Sequence, residues 1–205
     1  MQKILYLVAA LLAAIIGFTA YQMWPKPEPE ALIYEPPRAL KAFELQSTDS
    51  QQAISNNALK GQWTILFTGY TFCPDICPTT MSDLKQALPV LQDEADKPVK
   101  VWMISVDPKR DNMERLKQYT GYFGKQFVGI RADHPELFPF VRDLGLMYSL
   151  PDEGEENYLV NHSAAIILVN PDGKRIAIFN AEHEPGEIPV VDMQQLQKDF
   201  AIIAG

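Results

Sequence analysis

Cysteine and histidine are scarce in this chain of 205 residues, which has two cysteines and three histidines. It contains no glycine-rich loop of the type that cradles phosphate groups and no Cys-x-x-Cys-His stretch, so neither a nucleotide site nor a haem site is indicated. There is also no sign of a zinc site and no internal repeat. Acidic residues outnumber basic ones by 26 to 18, and the net charge of -8 argues against a nucleic-acid-binding surface.

Both cysteines, Cys73 and Cys77, lie in one short stretch between an apolar run and a helix-like pattern. Pro78 follows Cys77 directly and suits the first position of a helix, where its missing N–H costs nothing. We therefore predict Cys77 at or near the helix N-cap, where the positive end of the helix dipole favours a thiolate. Thiolates attack disulfides and bind soft metals, so the stretch predicts a redox site or a soft-metal site.

A structural disulfide between the two cysteines is the alternative interpretation. Such a bridge would close a very short loop, and short loops give little entropic stabilisation. A structural bridge would be more useful between distant segments of the chain. The spacing therefore favours a redox or metal-binding role.

The amino-terminal residues are strongly apolar. Residues 4–20 contain almost only apolar side chains, and about 20 helical residues span the ~30 Å hydrocarbon core of a bilayer. We predict a transmembrane anchor over residues 1–24, with Lys3 on the cytoplasmic side and Tyr21 and Trp24 at the opposite interface.

A cleaved signal peptide is the alternative to an anchor. Cleavage after Ala20 would place Phe18 where a small residue is needed, which disfavours it. No cysteine follows the apolar run, so a bacterial lipid anchor is not indicated there. Because an Arg- and Ser-rich presequence is missing, we expect a bacterial inner-membrane protein with its carboxyl-terminal domain in the periplasm.

The rest of the chain divides into a proline-rich linker over residues 25–39 and one domain over residues 40–205. The linker is either a semi-rigid spacer or a disordered tether. Apolar periodicity predicts strands and helices that mostly alternate in the domain. The predicted strands are residues 40–46, 63–67, 99–106, 127–131, 158–169 and 175–179, and the predicted helices are residues 80–95, 112–123, 137–148 and 190–203.

This alternation predicts an α/β fold with a mostly parallel central sheet. The Asn-Pro-Asp-Gly turn at residues 170–173 adds an antiparallel hairpin near the carboxyl terminus. The thiol pair follows the carboxyl end of the first central strand. In α/β folds, ligands bind at the edge of the sheet where the strands have their carboxyl ends. The arrangement is thioredoxin-like, with one additional residue between the cysteines.

Four motifs together resemble those of the Sco/SenC family. They are Phe-Cys-Pro-Asp-Ile-Cys-Pro-Thr-Thr at residues 72–80, Val-Asp-Pro-Lys-Arg-Asp at 106–111, Tyr-Leu-Val-Asn-His-Ser-Ala at 158–164 and Pro-Asp-Gly at 171–173. The resemblance covers residues 40–205, and the anchor with its linker matches the layout of the family. The chain departs from the pattern at Asn161, where an acidic residue is common, and at Asn112-Met113, where Thr-Pro is common.

The resemblance implies a thioredoxin fold and a copper chaperone of cytochrome c oxidase assembly. It implies that Cys73, Cys77 and His162 bind Cu(I) or Cu(II). It also implies delivery of copper to the binuclear copper site of oxidase subunit II, or reduction of the thiols of that site. Asn161 could change how His162 is oriented, since groups around a ligand tune the metal.

Other candidate ligands have ordinary structural interpretations. Without the resemblance, His162 is more readily interpreted as a partly buried histidine than as a ligand, while His134 precedes a helix and His183 lies in a polar loop. The thioethers of Met81, Met103 and Met147 are soft donors, but methionines at helical or strand spacing usually belong to the core. Asp75 either tunes the cysteines or is a solvated loop carboxylate.

Three hypotheses about activity remain open at this stage. A metallochaperone needs Cys73, Cys77 and His162 together. A thiol–disulfide oxidoreductase, with the Cys73–Cys77 pair as its catalytic group, would not need His162. A thiol peroxidase is less favoured, because its cysteine usually needs an adjacent cation and a distinct loop.

Overall fold

The structure is a computed structural model, and it describes residues 2–23, 27–149, 158–182, 186 and 188–205, apart from the side chains of residues 5, 8 and 9. Trp24 and His183 lie outside the described residues. The described helices and strands follow one another in this order: α1 Gln2–Gln22, β1 Leu32–Ala39, β2 Gln46–Ser47, a 3-10 helix Asn56–Leu59, β3 Trp63–Gly69, α2 Ile76–Glu94, β4 Val99–Ser105, α3 Met113–Phe123, β5 Phe127–Arg131, α4 His134–Asp143, β6 Ile166–Val169, β7 Lys174–Phe179 and α5 Met193–Ala204.

Helix α1 covers most of the segment that we predict as a membrane anchor. Across the part of the chain that the structure describes, no helix is long and apolar enough to cross a membrane. The transmembrane anchor is therefore not confirmed and stays a prediction.

The seven described strands form one mixed sheet in the order β1-β7-β6-β3-β4-β5-β2. Strands β3, β4 and β5 are parallel to one another. The remaining neighbours pair antiparallel. The prediction of a mostly parallel sheet is wrong, because β6 pairs antiparallel with the central strand β3 and both ends of the sheet carry antiparallel pairs.

Strand β1 lies inside the segment that we predict as a linker. It pairs antiparallel with β7, and its register shifts between Ile33 and Arg38, where Pro36 and Pro37 lie. Proline is tolerated on an edge strand and at such irregularities, because no ladder hydrogen bond is required there. The sheet thus begins at Leu32 rather than at residue 40.

Two other predicted strands are much shorter in the structure. The strand predicted over residues 40–46 is reduced to β2, and the one predicted over 158–169 is regular only in β6. The backbone of residues 160–163 instead bonds to loop residues and to a tyrosine hydroxyl. Helix α4 is also shorter than predicted, ending at Asp143.

The sheet is buried on both faces, as the continuous apolar run of β3 predicts. On one face, Leu66 packs in a core that includes the buried side chains of α4. On the other face, Ile65 and Phe67 pack in a core with α2, α3 and α5. The buried helical side chains of this second core are Met81, Leu84, Ala87, Leu88, Leu91, Leu116, Leu196 and Phe200.

Because α3 packs closely on β5, substitution of two glycines by alanine should have very different effects on the stability of the protein. A Cβ added at Gly129 would lie 2.3 Å from the Cγ of buried Leu116, whereas one added at Gly121 on the exposed face of α3 meets nothing within 4 Å. We expect Gly129→Ala to lower the free energy of unfolding by about 1–3 kcal/mol or more. Gly121→Ala should leave it unchanged or raise it by up to about 1 kcal/mol, because alanine favours the helix. Urea unfolding of both variants tests this, and equal midpoints would contradict it.

Candidate metal centre

The thiol loop connects the carboxyl end of β3 to the start of α2. The Cys73 N–H donates to the Tyr70 carbonyl at 3.2 Å, which folds the loop back on itself. Asp75 is the N-cap of α2, and Cys77 lies in the first turn. The Cys77 N–H donates to the Cys73 sulfur at 3.4 Å. One of the free N–H groups that a helix start always leaves is therefore satisfied by a sulfur.

His162 approaches the thiol loop from a segment between α4 and β6. The backbone on either side of His162 is fixed by two hydrogen bonds, from Ser149 N–H to the Asn161 carbonyl at 2.9 Å and from Ser163 N–H to the Met147 carbonyl at 2.8 Å. The Nε2 atom of His162 lies 3.7 Å from the sulfur of Cys77. The imidazole thus faces the thiols, and its other ring nitrogen points away from them.

The sulfurs of Cys73 and Cys77 and a ring nitrogen of His162 all lie within 4.8 Å of one another. Both cysteines are free thiols, 9% and 1% exposed. Ligands at roughly 2.0–2.3 Å from one ion can be at most about 4.6 Å apart. The three donors therefore need only a small inward movement to hold a single metal ion.

The two thiols share one proton unequally. A hydrogen bond from the Cys77 thiol lowers the pKa of Cys73 to about 4, against the opposing effect of burial, and His162 and the backbone N–H groups of Cys77 and Asp75 lower it further. The same hydrogen bond, with burial, raises the pKa of Cys77 strongly. We predicted the thiolate at Cys77, but the lowered pKa of Cys73 and the raised pKa of Cys77 favour it at Cys73, chiefly because the Cys77 thiol donates its hydrogen bond to the Cys73 sulfur.

Sequence reasoning missed three residues that shape the site. Thr68, 1% exposed, donates to the Ser163 carbonyl at 2.8 Å and lies 3.3 Å from Nδ1 of His162. The ring of buried Tyr70 meets His162 edge-on with centroids 5.9 Å apart. A Cβ at Gly69 would lie 3.2 Å from the Cys77 sulfur, so glycine leaves that sulfur room. A buried threonine at the end of an apolar strand was the signal available in the sequence.

The other candidates serve as structural residues or remain on the surface. Met81 and Met103 are fully buried in the core, and Met147 is 58% exposed. His134 is the first residue of α4, and its Nδ1 lies 2.9 Å from the Tyr148 hydroxyl. Asp75 is exposed. Among the described residues, only Cys73, Cys77 and His162 form a group able to hold a metal.

Comparison with known proteins shows which family has this site. The family model described as SCO1/SenC matches residues 34–196. The chain belongs to the SCO1/SenC family. This confirms the resemblance that the four motifs indicate, and with it a Sco-like fold of thioredoxin type.

Individual relatives agree with this membership. A protein of Stutzerimonas stutzeri with a provisional name as a copper-binding protein is 38% identical over 136 residues, 66% of each chain. The mitochondrial SCO1 homolog 1 of Arabidopsis thaliana is 31% identical over 157 residues, which are 74% of this chain and 47% of that protein. The crystal structure of Arabidopsis thaliana ScoI with copper bound has a TM-score of 0.69 and 27% identity, over 80% of this chain and 96% of that one. The chain thus spans about half the length of its plant relative.

The pKa of Cys73 predicts an unusually reactive thiol at low pH. In the reduced, metal-free protein, alkylation of Cys73 by iodoacetamide should keep a nearly constant rate down to roughly pH 5 and fall through a midpoint of about 4, because the thiolate is the nucleophile. The same cysteine in urea-unfolded protein serves as the control and should titrate near about 8.5. Mass spectrometry can assign the alkylated residue, and a folded-state midpoint near that of the unfolded protein would refute the shared-proton arrangement.

Proposed function

We propose that this SCO1/SenC protein is a membrane-anchored copper chaperone. It binds Cu(I) or Cu(II) through Cys73, Cys77 and His162 and delivers the ion to the binuclear copper site of cytochrome c oxidase subunit II. The observation that carries the proposal is the convergence of two thiols and one imidazole within 4.8 Å.

The chemistry of the donors suits copper as the cargo. Thiolates are soft and favour Cu(I), whereas imidazole serves Cu(I) and Cu(II) alike. Three protein ligands leave a coordination position open, through which a ligand of the acceptor protein can enter before the ion is released. Binding requires both thiols and the imidazole to be deprotonated, so affinity for copper should fall as the pH falls.

The same cysteines allow copper loading to follow redox state. Oxidation forms one S–S bond between Cys73 and Cys77, and two electrons pass to an oxidant while the one proton that the pair shares is lost to solvent. Both sulfur ligands are then consumed, so the oxidised protein should not hold the ion. The closeness of the two reduced sulfurs means that this bond needs little rearrangement of the loop.

The proposal includes a cellular location for the protein. The apolar residues 4–20 support a single span in a bacterial inner membrane, with the copper-binding domain in the periplasm. An acceptor in the same membrane would then meet the site on its own side of the bilayer.

A thiol–disulfide oxidoreductase that reduces the cysteines of the client's copper site is the second candidate. The low pKa of Cys73 favours it, because a thiolate beside a protonated Cys77 can attack a disulfide and be resolved by its neighbour. In this case His162 would be dispensable, and metal-free reduced protein would be active.

Copper titration of the reduced protein separates the two candidates. We expect one tight equivalent of Cu(I) and of Cu(II) for the unmodified chain. His162→Ala should weaken Cu(II) binding by at least about 100-fold. Loss of a residue that only orients a ligand typically lowers metal affinity by about 10- to 100-fold, and loss of the ligand itself should cost more. Competition with chromophoric chelators gives the affinities.

His134→Ala is the matched control, since it removes a histidine that contacts Tyr148 rather than the thiols. It should bind copper like the unmodified chain. Binding that does not respond to His162→Ala, or that survives oxidation of the cysteines, would reject the chaperone mechanism and favour thiol–disulfide exchange.

A further inference from the structure

The motif at residues 106–111 supplies no ligand, yet it contains two of the most deeply buried carboxylates near the site. Asp107 is 3% exposed and Asp111 is 0% exposed. Burial of a carboxylate is costly unless hydrogen bonds or a cation compensate it. Both side chains follow the carboxyl end of β4, beside the thiol loop, and each has its own set of compensating partners.

Asp111 is bound to the thiol loop. Its carboxylate accepts hydrogen bonds from the Thr71 hydroxyl at 2.6 Å and from the Thr71 N–H at 3.0 Å. The Ser105 hydroxyl donates to it at 2.7 Å. Thr71 lies two residues before Cys73, so this carboxylate fixes the start of the loop that carries both sulfurs.

Asp107 is bound to the histidine segment. Its carboxylate forms an ion pair with Arg110 and accepts a hydrogen bond from the Tyr158 hydroxyl at 2.8 Å. Arg110 donates to the Tyr158 carbonyl at 3.0 Å, and its guanidinium carbon lies 3.6 Å from the centre of the Tyr158 ring. Tyr158 lies four residues before His162 on the same segment.

Both carboxylates belong to one tight turn. The Asp107 carbonyl accepts the N–H groups of Arg110 and Asp111 at 3.2 and 2.9 Å. Arg131 of β5 donates to the carbonyls of Pro108 and Asp111, each at 3.0 Å. Val106 N–H also donates to the Gly69 carbonyl at 2.9 Å, which joins the turn to the end of β3. The turn is therefore fixed to two strands as a single unit.

We propose that residues 107–111 are a brace that sets the distance between the Cys73–Cys77 pair and His162. One arm runs from Asp111 to Thr71, and the other runs from Asp107 and Arg110 to Tyr158. The inference rests on the proposed function in taking copper as the ion held between the two arms. Its residues are positioning residues, since none of them contacts the ion.

The two arms have different consequences for copper. Loosening the histidine arm removes the imidazole from its position while the thiols stay in place. Because Cu(I) is held well by thiolates and Cu(II) depends more on nitrogen ligands, Cu(II) affinity should fall more than Cu(I) affinity. Loosening the thiol arm should weaken both oxidation states together.

Tyr158→Phe tests the histidine arm, because it removes the hydroxyl that binds Asp107 and keeps the ring under Arg110. We expect a loss of about 10-fold or more in Cu(II) affinity, in the range for groups that orient a ligand, with a smaller loss for Cu(I). Thr71→Val tests the other arm and should weaken both. Tyr148→Phe is the control, since it removes a phenolic hydrogen bond made to His134 instead.

A metal-free measurement makes the test independent of copper. Amide hydrogen exchange of the full chain in detergent, reduced and chelated, should show faster exchange at residues 158–163 in Tyr158→Phe and at residues 70–77 in Thr71→Val. Exchange elsewhere should match that of the unmodified chain. Any of three results would overturn the brace. They are unchanged exchange in both segments, equal losses of Cu(I) and Cu(II) affinity in Tyr158→Phe, and the same losses of affinity in the control Tyr148→Phe. If the unmodified chain bound no copper, the proposed function would fail, while the exchange result would still decide the brace.

Discussion

The hydrogen bond from the Cys77 N–H to the Cys73 sulfur organises the site. It uses a backbone group that the start of α2 leaves free, so the helix stabilises negative charge on Cys73 without a cation next to it. Cys77 then keeps the shared proton, because two thiolates so close together and so deeply buried would repel each other. The polarity of the pair thus follows chiefly from the hydrogen bond that the Cys77 thiol donates to the Cys73 sulfur, and the N–H of the first helical turn strengthens it.

Holding that sulfur against a helix start requires a loop that does not move, and the structure achieves this with buried polar groups. Asp111 accepts hydrogen bonds from Thr71, and Thr68 binds the carbonyl next to His162. Each such group would be costly in a purely apolar core. Here the cost is compensated within a small network at the carboxyl edge of β3 and β4, where the site needs fixed positions more than it needs additional apolar contacts.

Much of the architecture could be predicted from the sequence. The apolar run of β3 and the periodic face of α2 are local signals, and the structure agrees with them. The strand predictions failed where the hydrogen-bonding partners are distant in the sequence. Strand β1 was missed because its prolines disfavour strands in general, although its edge position tolerates them. Residues 158–165 look like a strand by composition, but the backbone of residues 160–163 bonds to loops and to a side chain.

Short-range patterns are enough to predict that the two thiols lie at the junction of a strand and a helix, because such patterns specify that junction. The sequence also carries the family motifs, from which His162 could be named as a ligand. Three other features follow only from the folded arrangement of the chain: His162 meets Cys77 across 85 residues of chain, the thiolate is favoured at Cys73, and the turn at residues 107–111 contacts both ligand segments. These outcomes depend on which strands are neighbours and on where hydrogen-bond donors point, and no local pattern encodes either.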